Sequence, residues 1–360
     1  MPASDLQDRV SGALIGAFIG EALGVGPHWY YDLDALHADF GPWIADYTTP
    51  KPGRYHSGLR AGQSSQSGWL LELTLRSLIE RGAYDEADFC RRIDTAFFPL
   101  LDGTPHGGPG GYTSQSMREA WRKRVQQGLP WGRVGGHADN TEAAERTLAI
   151  AVRYARAPRQ LAGFVGANTV LTQIDPTVGA MTTAYCAVLG LLLQGHQLDA
   201  RISARLMALV RGGELPFHTV TATALDTVPA GAEAVLRPGQ FASPDALLTP
   251  GNIARAAVDA DVRIEPAWKA SLVYGMPCAV YHQFPAAYYL AARFADDFEA
   301  AVLHAINGGG QNQARAMLTG ALVGAMVGLS AIPQRFISGL ERATQRLDWA
   351  RQLAAQIERA

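Results

Sequence analysis

The stretch GGGQNQARAMLTGALVG, residues 308–324, joins three glycines and three carboxamide side chains to a helix of small residues. It has an echo near the other end of the chain, because GALIGAFIG at 12–20 and GALVGAMVG at 320–328 both place three glycines four residues apart. Residues four apart share one face of an α-helix, and a glycine face lets two backbones approach closely. We therefore predict that these two helices pack together, which brings GEALGVGPHWYYD at 20–32 close to GGGQNQ at 308–313.

Helical periodicity dominates the rest of the chain. It predicts an all-α fold with helices at 5–24, 68–81, 85–98, 141–156, 177–194, 198–212, 297–306, 314–328 and 333–358. The stretch HTVTAT at 218–223 is the one fair strand candidate. Segments 25–67 and 213–280 look irregular, and 102–117 is a glycine-rich connector. We expect a single domain over 1–360 with an irregular insertion at about 213–280.

Composition narrows the classes of partner. The chain has 360 residues, 48% of them hydrophobic, and a formal net charge of -2, so it has no basic field to attract nucleic acid or an anionic membrane. A small molecule or another protein is the expected partner, and the oligomeric state stays open. Three cysteines without a paired spacing and an acidic N-terminus favour a reducing, cytoplasmic location.

The end of the first helix holds groups that could act on a ring-shaped ligand. Glu21, His28, Trp29, Tyr30 and Asp32 bring carboxylates, an imidazole and aromatic rings into twelve residues. Such a set can hold a ring and move a proton, which a nucleoside or sugar site requires. Hydrophobic packing around one hydrogen-bonded histidine would give the same pattern, so both interpretations stay open here.

Two polar entrances to helices are further candidates for the site. In AGQSSQSG at 61–68 the serines could cap the following helix, which is the simpler explanation for that segment alone. In the opening stretch, glycines and helix-start amides favour an anion or a polar oxygen, although a tight turn with polar caps is an alternative. The candidate ligand-binding residues in these segments are Ser64, Ser65, Gln66, Gly309, Gly310, Gln311, Asn312, Gln313 and Arg315.

Polar residues before two other helices complete the candidate set. Asp139 and Asn140 precede one helix, and Gln173 and Asp175 precede another, with helix capping as the default for the first pair. Cys278 stands four residues before His282, but prolines flank the pair and no orienting group follows, so we assign that pair to the core.

Four separated segments resemble the ADP-ribosylglycohydrolase family, the group that includes the dinitrogenase reductase-activating glycohydrolase. SGALIGAFIGEALG at 11–24 is similar to its GxxxGxxxGDALG start, and AGQSSQSGWLLELTLRSLIERGAYD at 61–85 to the segment with its Thr-Asp-Asp-Thr motif. LTQIDPTVGAMTTAYCAVLGLLLQG at 171–195 resembles its Thr-His-x-Asp helix. AVLHAINGGGQNQARAMLTGALVGAMVGLSAIP at 301–333 resembles its closing Gly-Gly-Asp-x-Asp-Thr motif. The resemblance implies a compact, orthogonal all-α bundle with the site in a cleft.

One branch of that family is especially similar. HWYYD at 28–32 resembles the His-Trp-x-Tyr-Asp of the branch that includes a lens crystallin, and Gln173 stands where that branch tends to replace histidine. Since a crystallin can be a bulk structural protein, the fold alone does not establish catalysis.

The departures from the family pattern concern its metal ions. The resemblance implies two magnesium ions held by the aspartates of the first and last motifs, where this chain has 64-SSQS-67 and 311-QNQA-314. Magnesium prefers hard, charged oxygen ligands, so hydroxyls and carboxamides should bind it poorly. We predict no metal ligands and no metal cofactor. The early family aspartate corresponds to Glu21, and a later carboxylate to His28.

Three hypotheses follow from the sequence. The first is a metal-independent cleft for a ribosyl or nucleotide-like ligand, in which Glu21 or Asp32 assists hydrolysis of an N- or O-glycosidic bond. The second is a non-catalytic binder of ADP-ribose or a related ligand. The third is a crystallin-like structural protein. Carboxamides that satisfy one another would favour the third, and carboxamides that face a pocket would favour the first two.

Overall fold

A computed structural model describes residues 5–218, 241–242 and 249–359. The helices of its first half are α1 Asp5–Val25, α2 Leu33–Phe40, α3 Gln66–Arg81, α4 Glu86–Arg92, α5 Gln115–Trp121, α6 Glu142–Arg153, α7 Pro158–Val170, α8 Pro176–Leu193 and α9 Ile202–Arg211. Those of the second half are α10 Pro250–Val258, α11 Ala270–Tyr274, α12 Val280–Arg293, α13 Phe298–Ile306, α14 Asn312–Val327, α15 Gln334–Gly339 and α16 Ala343–Arg359. Two-residue strands, β1 Phe217–His218 and β2 Phe241–Ala242, pair in parallel.

The predicted all-α fold is confirmed, and every stretch predicted as helical contains a helix. Several helices were missed, and part of segment 213–280 is helical rather than irregular because it contains α10 and α11. The predicted strand at 218–223 begins within β1, but residues 219–223 lie outside the described residues. Helix α7 is only weakly amphipathic, and α12 carries Pro285 in its interior, so neither gave a clear helical pattern.

Helices α1 and α14 pack in antiparallel contact along their glycine faces, as the sequence predicts. A Cβ atom added at Gly12 would lie 2.2 Å from the carbonyl oxygen of Gly324, and one added at Gly16 would lie 2.3 Å from that of Gly320. The same close approach continues at Gly20, whose added Cβ would lie 2.1 Å from the oxygen of Ala316. No side chain separates the backbones along this contact, because no larger residue than glycine fits at these positions.

The other core helices surround this pair and fix its depth in the protein. Both α1 and α14 are almost entirely buried, together with α8 and much of α12 and α13. The Tyr185 hydroxyl on α8 donates a hydrogen bond of 2.7 Å to the carbonyl oxygen of Leu318 on α14. The C-terminal end of α1 therefore lies in the interior, where the N-terminal ends of α3, α6 and α14 approach it.

Helix α8 is the one helix in the described part of the chain that is long and apolar enough to cross a membrane. In this fold 83% of that 18-residue segment is buried against other helices. A core helix passes the same test of length and composition.

Two glycine-to-alanine substitutions test the close packing of α1 against α14. Gly16→Ala should lower the free energy of unfolding by roughly 1–3 kcal/mol or more, because its Cβ would lie 2.3 Å from the Gly320 carbonyl oxygen. Gly166→Ala in α7 meets no atom within 4 Å and should raise that free energy by roughly 0.5–1 kcal/mol through helix propensity. Urea denaturation measures both. Equal effects of the two substitutions would contradict the close contact.

Candidate functional site

The C-terminal end of α1 meets the N-terminal ends of α3 and α14 at Glu21. This carboxylate is completely buried, and its Oε1 accepts hydrogen bonds from Ser65 N at 2.7 Å, Ser65 Oγ at 2.7 Å and Gln313 Nε2 at 2.9 Å. Gln313 Nε2 also donates to Ser65 Oγ at 2.6 Å. Three predicted residues from distant segments therefore meet. Although Ser65 occupies the N-cap position of α3, its hydroxyl makes no capping bond, so the capping interpretation is wrong for it.

A buried arginine stands beside this group. Arg346 on α16 is fully buried, and its Nη2 donates to Ser64 Oγ at 2.8 Å. Burial raises the pKa of Glu21, whereas the hydrogen bonds from Ser65 and the charge of Arg346 lower it. Within the described residues, Glu21 Oε2 and the Nε and Nη1 atoms of Arg346 are buried without hydrogen-bond partners.

The glycine turn before α14 contacts the segment after α1, so the predicted proximity of these stretches is confirmed. Trp29 N donates to the Gly310 carbonyl oxygen at 3.1 Å, and Gly310 N donates to the Tyr30 carbonyl oxygen at 2.7 Å. Gln311 N donates to the Met276 carbonyl oxygen at 2.8 Å. These amides are occupied by backbone oxygens, so they do not form the ligand-facing anion cradle that the glycines suggest.

A chain of hydrogen bonds sets the orientation of the Gln311 side chain. His56 Nδ1 donates to the Gly110 carbonyl oxygen at 2.7 Å, which makes its Nε2 the acceptor from His28 Nδ1 at 2.6 Å. Burial lowers the pKa of His56 to about 4 and that of His28 well below its usual range, so both rings are neutral.

The contact between His28 and Gln311 decides which end of the Gln311 amide faces the cavity. Gln311 Oε1 lies 2.9 Å from His28 Nε2, which has only a lone pair when the ring is neutral. Two acceptors cannot bond, so we assign the Gln311 nitrogen, rather than its oxygen, to this contact, where it donates to His28 Nε2. The Gln311 oxygen is then free to accept a hydrogen bond from the cavity side.

Gln311 lines a narrow polar cavity where α3, α6 and α14 begin. Its volume is about 10 Å³, which is room for about one water molecule. The wall is made of neutral hydrogen-bonding groups, two carboxyl groups and one thiol. The lining residues are Gln66, Ser67, Tyr112, Ser114, Asn140, Thr141, Glu142, Glu145, Cys278 and Gln311.

Several of these side chains are fixed by their own hydrogen bonds. Gln66 Oε1 accepts from Ser114 N at 2.8 Å, and its Nε2 donates to Ser114 Oγ at 3.1 Å. Asn140 Oδ1 accepts from Ser116 Oγ at 3.1 Å and from Glu142 N at 3.3 Å. Because its oxygen is occupied, Asn140 is left with its NH₂ group as the free end.

Two buried glutamates in the first turn of α6 differ in their environments. Arg146 Nη1 lies 2.5 Å and 2.6 Å from the two carboxylate oxygens of Glu142. Glu145 has no such cation, and its Oε1 accepts from Thr141 Oγ1 at 2.6 Å. Burial raises the pKa of Glu145 to about 7, against lowering by Ser67 and Thr141, and the charge of Glu142 raises it further.

An aromatic cluster lies behind the cavity. The rings of Trp29 and Tyr112 meet edge to face with centroids 5.0 Å apart, and His28 approaches Tyr112 at 5.4 Å. Both Trp29 and His56 have a left-handed backbone, with φ of 63°. Tyr30 is not part of this wall, because its ring is buried under Arg54 at 3.8 Å and its hydroxyl donates to Asp39.

Other predicted site residues make hydrogen bonds within the fold and do not line the cavity. Asp32 and Asp175 cap α2 and α8, and neither lines this cavity. Asp139 accepts from the Tyr281 hydroxyl at 2.5 Å. Arg315 is fully buried and donates to the carbonyl oxygens of Ala305 and Gly309 and to Gln283, so it braces the glycine turn where Gly309 has a φ of 63°.

Two carboxamides are also occupied within the protein. Gln173 is fully buried, and it bonds Ala143 N at 2.9 Å and the carbonyl oxygens of Ala138 and Asn140 at 2.8 Å each. It therefore holds the loop that positions Asn140 against the start of α6. Asn312 Nδ2 donates to the carbonyl oxygens of Pro27 and Ile306, which ties α14 to the end of α1.

The sequence reasoning missed much of the cavity wall. Glutamates in a first helical turn usually stabilise the helix dipole, so the pair in TEAAERT at 141–147 gave no functional signal. Tyr112 and Ser114 lie in a glycine-rich connector without periodicity. Cys278, which we assigned to the core, is half-buried at the cavity, and burial raises the pKa of its thiol.

The comparisons with known proteins identify the class. The family model for ADP-ribosylglycohydrolase matches residues 2–360, so the chain belongs to the ADP-ribosylglycohydrolase family. A solved structure described as an ADP-ribosylglycohydrolase-related protein complex is similar, with a TM-score of 0.62 and 20% identity over 98% of this chain and 99% of that one. At that identity the likeness shows the fold. No curated protein sequence matches the chain.

The raised pKa of Glu145 predicts that the stability of the protein depends on pH. In the folded state the pKa is about 7 rather than 4.5, so the folded protein holds more protons and its stability falls as the pH rises between those values. Glu145→Gln carries no charge and should be more stable than the wild type above pH 7, by about 3 kcal/mol, with no gain at pH 4.5. Urea denaturation from pH 4.5 to 8.5 measures the difference.

Burial also raises the pKa of Glu21, which lowers the stability in the same direction as the pH rises. This contribution is the same in the wild type and in Glu145→Gln, so it cancels in the difference between them. A difference between variant and wild type that is constant across this range would contradict the raised pKa of Glu145.

Proposed function

We propose that this member of the ADP-ribosylglycohydrolase family binds a ribosyl or nucleotide-like ligand in the cavity at the start of α6, without a metal ion. The observation that carries the proposal is the cavity wall, where Gln66, Asn140 and Gln311 are held in fixed orientations beside the protonatable Glu145. A sugar presents hydroxyl groups that both donate and accept, which such a wall can pair. Membership of the family supports the ribosyl class of ligand.

The donor groups support the metal-independent part of the proposal. Magnesium needs hard, charged oxygens in near-octahedral geometry, and no three His, Cys, Asp or Glu side chains converge in the described part of the chain. Glu21 Oε1 already accepts three hydrogen bonds, and Gln313 presents its nitrogen to that carboxylate. Three buried oxygens nearby have no hydrogen-bond partner among the described residues, and they belong to Glu21, Asn312 and Gln313. Only the oxygen of Glu21 can carry a charge, and burial raises the pKa of that carboxyl group. These residues do not fit a magnesium pair.

The size of the cavity limits how a ligand enters. With room for about one water molecule, it admits a ribose only after the lining side chains move apart. Half-buried Cys278 lies at this wall and makes no disulfide. The ligand complex is therefore more open than the ligand-free protein.

The structural role that resembles a crystallin has one observation in its favour. Gln313 and Asn312 use their NH₂ groups on partners within the protein, as carboxamides without a ligand would. Gln66 and Gln311 also have partners within the protein, in Ser114 and His28, but their side chains line the cavity. This division favours a ligand site in which part of the former motif has become structural. The cytoplasmic location and the lack of nucleic-acid or membrane partners stay predictions.

A thermal-shift series tests the proposal. ADP-ribose at about 100 times its Kd should stabilise the wild type by about 2.7 kcal/mol, a rise in Tm of several degrees, equally in EDTA and in magnesium. Gln311→Ala should abolish the shift. Gln352→Ala, at an exposed position of α16, should keep it.

Stabilisation that requires magnesium would sink the metal-independent proposal. If ADP-ribose, nucleosides and ribose all leave the Tm unchanged, the structural role is favoured instead.

A further inference from the structure

The glutamate pair at the start of α6 has an arrangement that a hydrogen-bonding wall alone does not need. Glu142 and Glu145 are three residues apart on one helix, both are buried, and both line the cavity. Residues at this spacing are neighbours on the helix surface, and the charge of Glu142 acts on Glu145.

Glu142 has a buried counter-ion. Arg146 Nη1 contacts both of its carboxylate oxygens, and Ser116 Oγ, which shares its one proton between Asn140 Oδ1 and this carboxylate, lies 3.1 Å from Oε2. Thr172 Oγ1 adds a bond of 3.3 Å to the same oxygen. Arg146 is itself fully buried and fixed by Asn168, whose side-chain oxygen lies 2.7 Å from its Nε. The anion therefore has a matched, immobile cation.

Within the described part of the chain, Glu145 has no such counter-ion. The charged groups that act most strongly on it are Glu142 and Glu21, both carboxylates, and no arginine is paired with it in the described residues. The hydroxyls of Thr141 and Ser67 stabilise its ionised form. Two carboxyl groups whose surroundings separate their protonation states are what acid catalysis of glycoside cleavage requires.

We propose that Glu145 is the general acid for cleavage of a ribosyl N- or O-glycosidic bond in this cavity, with Glu142 as the fixed anion that stabilises positive charge on the sugar. This inference rests on the proposed function, since it needs the ribosyl ligand at the cavity. It assigns the catalytic role to α6 rather than to Glu21 or Asp32.

The step balances without a metal or a co-reactant other than water. Glu145 transfers its proton to the leaving oxygen or nitrogen while the bond from that atom to C1 of the ribose breaks. The bonding pair leaves with the departing group, and the positive charge on C1 and the ring oxygen faces the Glu142 carboxylate. Water then attacks C1 and gives a proton to the Glu145 carboxylate, which restores the acid.

The thiol at the cavity does not replace this acid. Cys278 lines the same wall, but burial raises the pKa of its thiol, so the thiolate that nucleophilic attack needs is disfavoured. Glu21 is absent from the cavity wall and keeps its Oε1 in hydrogen bonds to Ser65 and Gln313.

Leaving-group dependence tests the assignment. The substrates are the 1-O-methyl and 1-O-(p-nitrophenyl) derivatives of ADP-ribose at the terminal ribose, assayed in EDTA. A methoxide leaving group needs the acid, whereas p-nitrophenolate does not. Glu145→Gln should lower kcat for the methyl compound about 10²–10⁴-fold and for the nitrophenyl compound less than about 10-fold.

Two controls accompany the kinetics. The ADP-ribose thermal shift should persist in Glu145→Gln, which shows a folded and ligand-binding variant. Glu86→Gln replaces an exposed first-turn glutamate of α4 and should leave both rates unchanged. Difference infrared spectra between wild type and Glu145→Gln should show one carboxyl group that titrates near pH 7.

The outcomes separate this inference from the proposed function. Two results would overturn the role of Glu145 as the acid while leaving the ligand site intact. In the first, ADP-ribose stabilises the wild type but neither compound is cleaved. In the second, Glu145→Gln lowers kcat equally for both compounds. No carboxyl titration above pH 6 would overturn it by itself. Absence of any ligand stabilisation would remove the proposed function and this inference together.

Discussion

The backbone contact between α1 and α14 is the constraint from which the rest of the structure follows. Gly12, Gly16 and Gly20 contact the backbone of α14 directly, and a side chain at any of these positions would clash with it. The two helices can therefore pack in one register only. Gly24 continues the contact to Gln313, where an added Cβ would lie 2.3 Å from its Cα. The end of α1 is thereby set against the start of α14, and Glu21 reaches Gln313 across 292 positions of sequence.

Buried charge is then distributed unequally around the helix starts. Glu142 has Arg146 as its counter-ion, and Glu21 has the hydrogen bonds of Ser65 and the field of Arg346. Glu145 has hydroxyl partners only, so at neutral pH its position is unfavourable for the folded state. A group held at such a cost to stability is more typical of a functional site than of a structural core. Segments 64–67 and 311–314 hold only hydroxyl, carboxamide and methyl side chains, whereas α6 supplies two buried carboxyl groups.

Much of the fold could be predicted from the sequence, and less of the site. Glycine spacing alone predicted the α1 to α14 contact and the proximity of Trp29 to Gly310, since backbone sterics leave few alternatives. The side-chain roles depended on tertiary geometry. Ser65 looks like a helix cap but bonds Glu21, and Glu145 looks like a helix-dipole residue but lines the cavity. The His28 to His56 chain joins segments whose pairing no local pattern encodes.

The central claim is that a ribosyl ligand occupies the α6 cavity without a metal ion. A crystal structure of the wild-type protein with ADP-ribose in EDTA tests it most directly. The predicted result is a terminal ribose within hydrogen-bonding distance of Glu145 and of the Gln311 carboxamide, in a cavity wider than about 10 Å³. Ribose bound through metal ions between residues 64–67 and 311–314, or a ligand bound elsewhere with this cavity closed, would contradict it.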